Sequence, residues 1–392
     1  MKYKRVQYFN LNRILLLTVG LWPNYQSRVA QFQYILCFSI FVTSILFQCA
    51  TFLTSRCTLD FVIHIFSSTF FSAVILTIYI SFGVNIKVVK DLLAQLYNIY
   101  NQLNDVNEYA IVEKYNYYAK CYTIGLTTLG VCSTFTILVG QYWSYILDMV
   151  VPINESRTHN MLFTAEYFID QDRYLVLSML HMSVAWCVGI MTMVATGATL
   201  IAYFEYTCGM FKIASYRIEQ AVNIDVLKNN NLKEILTFKG IICAVNIQRK
   251  AMKLSTQLLS RFEIMFLFLI IFHVSSMSLN LFRIFQITSS KFDIRKLILP
   301  VTCVTANVIY MFLSNNVGQR ITDHNNEVYA TVYNVQWYLA PLHIQKMLLF
   351  LLQRAASDFS LRVGGLFIAS FECFATLVKA SVSYFTVIYS TW

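Results

Sequence analysis

Charge is what this sequence has least of. Only 13% of its 392 residues are Asp, Glu, Lys or Arg, 57% are hydrophobic, and the mean hydropathy is +0.56. A water-soluble globule of that balance would expose far too much apolar surface, so a bilayer is the expected solvent. The chain also lacks a glycine-rich phosphate loop, a nucleophile elbow and any CxxC pair, so nothing in it reads as an enzyme. Its ten cysteines form no disulfide framework: only Cys57 falls clearly in a loop outside the membrane. Without Cys/His ligand spacing, neither a metal nor a cofactor is expected.

Apolar windows long enough to cross about 30 Å of hydrocarbon lie near 34–53, 61–84, 121–141, 175–202, 264–284, 297–313 and 365–389. The expected fold is therefore all-α, a polytopic membrane protein with seven transmembrane helices. Two shorter runs, Ile14 to Leu21 and Leu342 to Leu352, cannot span and are placed at the membrane surface or in a cytosolic helical layer. The first has no clear small-residue cleavage site and precedes Trp22-Pro23, so it is read as part of the mature chain rather than a signal peptide.

Lys and Arg set the orientation. Loops on the side of the N-terminus carry 21 of them, against about seven on the other: Arg56, Arg157, Arg173, Arg283, Lys291, Arg295 and Lys296. The N-terminus is thus expected in the cytosol and the C-terminus outside. The one N-glycosylation sequon, at Asn154, then falls in an outside loop. The net charge of +10 reads as attraction to anionic inner-leaflet lipids, and no nucleic acid partner is expected.

A G-protein-coupled receptor would need the opposite sidedness. Span three is followed by Gln141-Tyr142-Trp143 rather than an acidic-Arg-aromatic triplet, and span seven has no Asn-Pro pair. The last span is expected to run on to Trp392, leaving no cytosolic tail with which to signal, so the spans themselves are expected to do the work.

The two ends carry a resemblance. Gly20-Leu21-Trp22-Pro23 stands before the first span. In the last quarter come Tyr333, Trp337-Tyr338, Lys346 with Leu348 and Leu349, Arg354, Gly365 with Phe367, Ser370 and Phe374, Lys379, and Ser383-Tyr384-Phe385-Thr386. In these motifs the chain resembles the insect odorant receptors, a seven-span family of inverted topology. It departs at Phe312-Leu313-Ser314-Asn315, where the family commonly has Cys-Tyr-aromatic-Gly.

The resemblance implies a ligand-gated, non-selective cation channel of four subunits in the plasma membrane of sensory neurons. The last helix of each subunit would form the pore, and a cytosolic anchor would make most intersubunit contact. The loop from Thr207 to Ser260 is short, unlike that of the shared co-receptor, so the chain reads as a tuning subunit that assembles with a co-receptor into a heterotetramer. A gustatory receptor channel is the alternative, although its last span typically ends in Gln-Phe. The expected layout is a cytosolic segment with a surface helix over 1–33, spans one to six over 34–314, an anchor over 315–364 and a pore helix over 365–392.

The anchor reading falls on Tyr333, Trp337, Tyr338, Lys346 and Arg354. Apolar residues at helical spacing over 333–354 fit either an interhelical docking element or a helix lying on lipid. Aligned on the terminal signature, the family's narrowest ring maps to Val387 and Thr391 with Ser390 beside them; lipid-facing end residues are the other reading. Val387 and Thr391 lie four apart, on one helix face, and an apolar ring there would block ions by dewetting. Glu372 and Lys379 share a face, either along a wet vestibule or in a structural pair.

A volatile ligand needs a concave, mostly apolar pocket with few polar groups. The outer halves of spans two to six offer His64, Ser67, Phe70 and Phe71, then Thr136, Val139 and Trp143, then His181, Met182 and Trp186, then Phe272, Ser276 and Met277, then Thr302 and Thr305. Taken singly, each fits plain helix core. His64, His181 and His273 are read as hydrogen-bonding between helices rather than holding a metal.

Overall fold

The computed structural model describes residues 10–23, 27–54, 57–103, 105–150, 161–168, 171–222, 230–289, 293–355 and 359–391. Within them the chain is helical almost throughout: α1 (Asn10–Thr18), α2 (Arg28–Thr54), α3 (Leu59–Val84), α4 (Ile86–Asn101), α5 (Val106–Val150), α6 (Gln171–Val222), α7 (Asn230–Ser289), α8 (Ile294–Asn334), α9 (Leu342–Ala355) and α10 (Phe371–Thr391). A 3-10 turn, Trp337–Leu339, precedes α9. Seven of these helices, α2, α3, α5, α6, α7, α8 and α10, are long and apolar enough to cross a membrane.

Helix lengths divide the bundle into two parts. With 27 and 26 residues, α2 and α3 reach about 40 Å at 1.5 Å per residue, close to a bilayer's thickness. The 45 residues of α5 and 60 of α7 run far past it. Nearly all the excess projects from the end of the bundle that carries α1, α4 and α9, here called the base; α10 ends at the opposite, distal face. The connection expected as a loop from Thr207 to Ser260 is therefore mostly helix, continued by α6 and α7, and α8 crosses the expected boundary at 314 without a break.

Charge concentrates in the base, where water can reach it. Arg217 grips Glu108 with two nitrogens, at 2.5 and 3.0 Å, tying α6 to α5. Lys212 meets Glu327 at 2.5 Å, and Arg320 meets the buried Glu205 at 2.5 Å. In the run beginning at Ile14, Leu15, Leu16, Val19 and Leu21 are buried in the core while Ile14 is exposed, and Tyr79 donates to the Val19 carbonyl at 3.0 Å.

The last helix begins later than its hydropathy predicts. Gly364 and Gly365 have φ of +61° and +68°, a region glycine enters without steric cost. They turn a short antiparallel hairpin, β1 (Arg362–Val363) against β2 (Phe367–Ile368), with Arg362 facing Ile368 and Val363 facing Phe367. The expected helix start at Gly365 is thus corrected to Phe371, behind Ser370, whose hydroxyl accepts the Cys373 N–H at 3.2 Å. Spans differ widely in enclosure: 67% of the apolar window of α6 is buried in the chain, against 11% for α10. Helix α6 is the axis of the fold, and α10 leans on its edge.

Candidate functional site

A cleft of about 260 Å³ lies between α5, α6 and α8. Of the residues singled out in the sequence, Thr136, Thr302 and Thr305 line it, together with Met193, Ile309 and Tyr310. Each threonine hydroxyl donates to its own helix: Thr136 to the Cys132 carbonyl at 2.9 Å, Thr302 to Ile298 at 2.7 Å and Thr305 to Val301 at 2.9 Å. Their hydrogens are committed, so the oxygens offer lone pairs alone. The cleft is an apolar space whose threonine edge favours a donor.

An aromatic cluster lies outside the cleft's lining. Phe71 stacks on Trp186 with centroids 5.3 Å apart, and Phe163 packs on the same indole at 5.6 Å. Met182, Trp186 and Phe71 are core residues joining α3 to α6. The indole N–H of Trp186 is buried without a partner among the described residues, an orphan donor beside the expected ligand region.

The remaining expected contacts lie elsewhere. His64 bonds Thr164 at 2.9 Å, and His181 bridges Thr43 at 3.1 Å and Tyr167 at 2.8 Å, pinning the distal loop onto α2, α3 and α6. Ser67 and Ser276 belong to a buried polar seam. Arg283 donates to Ser67 at 3.0 Å, Asn280 to the Ser67 carbonyl at 3.0 Å, and Asn307 to Ser276 at 3.1 Å. Phe70 stacks on Phe272 at 6.0 Å, away from the cleft, and Met277 packs with Leu377 of α10. Trp143 is exposed on the outside of α5, and Val139 is half-buried. Ten of the fifteen residues thus form a cleft edge, an aromatic cluster, two histidine latches and a polar seam, and the other five lie apart from these.

Sequence reading passed over Tyr310, although 302, 305–306 and 309–310 recur at helical spacing. Tyr310 lies on the cleft floor and donates to the Met193 carbonyl at 2.9 Å.

At the distal end of α10, Val387 is 57% exposed, and the hydroxyls of Ser390 and Thr391 fold back onto its carbonyl at 2.9 and 3.2 Å. The opposite face holds the helix to the bundle. Phe285 meets Phe385 at 6.3 Å and Tyr389 at 4.8 Å, and Ser278 donates to the Ser381 carbonyl at 2.9 Å. Glu372 and Lys379 are both exposed, and no ion pair joins them.

In the base, Tyr333, Trp337, Tyr338 and Lys346 are all exposed, while Ile344 and Leu348 on the same segment turn inward. The side chain of Arg354 and the whole of Asn154 lie outside the described residues.

Residues 58–382 match the family described as 7tm odorant receptor. The chain belongs to the odorant receptor family. It is a multi-pass membrane protein, and its fold is that of solved members. The olfactory receptor OR5 from Machilis hrabei in complex with eugenol aligns over 97% of both chains with a TM-score of 0.78 at 14% identity. The structure of OR5 described without eugenol aligns over 96% of both, with a TM-score of 0.74 at 15% identity. A comparison with curated proteins found no match. The Phe312-Leu313-Ser314-Asn315 segment packs against the start of the last helix. Phe312 stacks on Phe371 at 6.1 Å and meets Phe374 edge-on at 5.6 Å, locking α8 to the first turn of α10.

Proposed function

We propose that this odorant receptor is the tuning subunit of an odorant-gated, non-selective cation channel. A small volatile molecule enters the cleft between α5, α6 and α8 and opens a pore lined by α10. The base is cytosolic, the distal face and Asn154 are outside, and co-receptor subunits complete a heterotetramer in the sensory-neuron membrane. The observation that carries this reading is the two-faced α10. Its Phe385 and Ser381 side is bonded to α7, while Val387, Thr386 and Ser383 face away from their own chain. That face mixes the hydroxyls of Ser383, Tyr384 and Thr386 with the apolar Val387, a composition suited to a water-filled path that can close by dewetting.

Two further features support it. The exposed Tyr333, Trp337 and Tyr338 give the base an aromatic patch of the kind that anchors protein interfaces. The cleft holds few polar atoms among apolar walls, as a small-molecule site requires, and the similar OR5 was solved with eugenol.

A ligand shifts the closed-open equilibrium only by its differential affinity for the open state. The test is patch-clamp recording of cells expressing this chain with a co-receptor. Odorant-evoked cation current independent of G-protein turnover is expected. With surface protein unchanged, Val387→Arg is expected to abolish or rectify it. Current that requires G-protein turnover, or that survives Val387→Arg unaltered, rejects direct gating by α10.

A further inference from the structure

Below the cleft, on the far side of Tyr310, is a second cavity of about 90 Å³. It is walled chiefly by α7, α8, the hairpin and α10, through apolar side chains such as Leu259, Leu269, Ile270, Phe367 and Leu377. Its polar feature of interest is His273, 3% exposed. His273 Nδ1 lies 2.8 Å from Asn307 Oδ1, while Asn307 Nδ2 donates to Ser276 Oγ at 3.1 Å. The amide is thereby oriented with its oxygen toward the ring. An amide oxygen only accepts, so Nδ1 carries the proton, and Nε2 of the neutral imidazole is an acceptor. That nitrogen is buried and has no partner among the described residues.

A buried acceptor without a donor is unfavourable relative to a satisfied one. Apart from Tyr310, Ser314 and Asn315, the cavity that His273 lines is walled by apolar residues, so a ligand that supplies the donor also covers apolar surface. An engineered cavity of about 150 Å³ takes benzene; the smaller volume here suits something shorter. We infer that this cavity is a second ligand site for a neutral aliphatic alcohol of about two to four carbons, its hydroxyl donating to His273 Nε2 and its alkyl chain lying against Leu269 and Leu377.

Such a site bears on both moving parts. Tyr310 stacks on His273 with centroids 5.7 Å apart and also floors the odorant cleft. Cys373 and Leu377 bring the first half of α10 into the wall. An occupant therefore touches the last helix directly and the odorant cleft through one shared ring.

Cys373 supplies the readout, because its thiol lines the cavity and is half-buried. The full chain in lipid nanodiscs is treated with methyl methanethiosulfonate, and modification is followed site by site by peptide mass spectrometry. The exposed Cys243 of α7 serves as internal control. The probes are 1-butanol and its isomer diethyl ether, equal in atoms and differing in the O–H donor. The alcohol is expected to protect Cys373 at about two- to tenfold lower concentration than the ether, the worth of one net hydrogen bond, with Cys243 unaffected by either. His273→Phe is expected to erase that difference, and Leu377→Phe, which fills the cavity, to abolish protection by both. Equal protection by alcohol and ether, protection of Cys243 in parallel, or no protection at Cys373 overturns the proposal. The wild-type comparison stands whether or not either variant folds.

Discussion

Asn315 of α8 accepts the backbone N–H of Ser370 at 3.2 Å, so span six holds the residue that caps the last helix. The same asparagine donates to the Met311 carbonyl at 2.9 Å, which fixes which amide atom faces Ser370. Losing an acceptor at a helix start costs about 0.5–2 kcal/mol. Asn315→Ala is expected to loosen the first turn of α10, shifting the odorant concentration for half-maximal current several-fold while surface labelling falls only modestly. Asn315→Asp keeps the oxygen facing Ser370 but gives up the donor to the Met311 carbonyl, so it is expected to fall between Ala and wild type. Identical dose-response curves for the Ala and Asp variants would show that this contact does not bear on gating.

The base has a pair of comparable weight. Glu205 is 2% exposed and meets Arg320 at 2.5 Å, and the guanidinium lies over the rings of Tyr118 and Tyr122 at 5.8 and 5.9 Å. Removing one member of a buried ion pair strands the other charge, at about 3–5 kcal/mol, whereas replacing both by apolar groups is often neutral. Glu205→Leu alone is therefore expected to lower the thermal midpoint of the detergent-solubilised chain markedly. Glu205→Leu with Arg320→Met is expected to recover most of it. A double variant as unstable as the single one, measured by fluorescence-detected unfolding, would assign the loss to packing rather than to the stranded charge.

Much of this fold was legible in the sequence because a bilayer demands about twenty apolar residues per crossing. Six of the seven windows fall wholly within a helix, and the seventh, 365–389, begins ahead of α10. Helix ends were not legible, since beyond the lipid the pattern turns polar while the backbone stays helical. The Glu108–Arg217 and Lys212–Glu327 pairs that sustain those extensions join residues more than a hundred positions apart. The late start of α10 escaped for a local reason: Phe367 and Ile368 are as apolar as a span but pair as a strand behind two left-handed glycines. Thr302 and Thr305, read as ligand contacts from the outer half of span six, line the cleft together because they sit three apart on α8. Trp143, read with them, lies exposed on α5, and nothing in its neighbours says which side of that helix packs inward.

The threonine edge of the cleft has a consequence for selectivity. With its hydrogen held by the Ile298 carbonyl at 2.7 Å, Thr302 presents a free lone pair. Thr302→Val keeps the shape and removes the acceptor, worth about 0.5–1.5 kcal/mol or roughly two- to twelvefold. Responses to hydroxyl-bearing odorants are expected to weaken by that factor relative to their methyl ethers, with surface expression unchanged. A uniform loss across both series in the recorded dose-response curves would mean that Thr302 shapes the cleft without reading the ligand.

Two glycines separate close packing from mere helix propensity. A Cβ on Gly318 of α8 would collide with the Cβ of Ala369, immediately before the last helix, whereas Gly125 of α5 faces open space. Relative to alanine, glycine in a helix interior destabilises by about 0.5–1 kcal/mol, so Gly125→Ala is expected to be neutral or mildly stabilising. Gly318→Ala gains the same propensity but must push the segment carrying Ala369 off α8, and the Asn315–Ser370 bond three residues away goes with it. Its expected signature is a lower thermal midpoint together with faster thiol modification at Cys373 as the hairpin lifts, while Cys243 reacts at its usual rate. If Gly318→Ala matched Gly125→Ala in both measurements, α8 and the hairpin would not be in the close contact that positions α10.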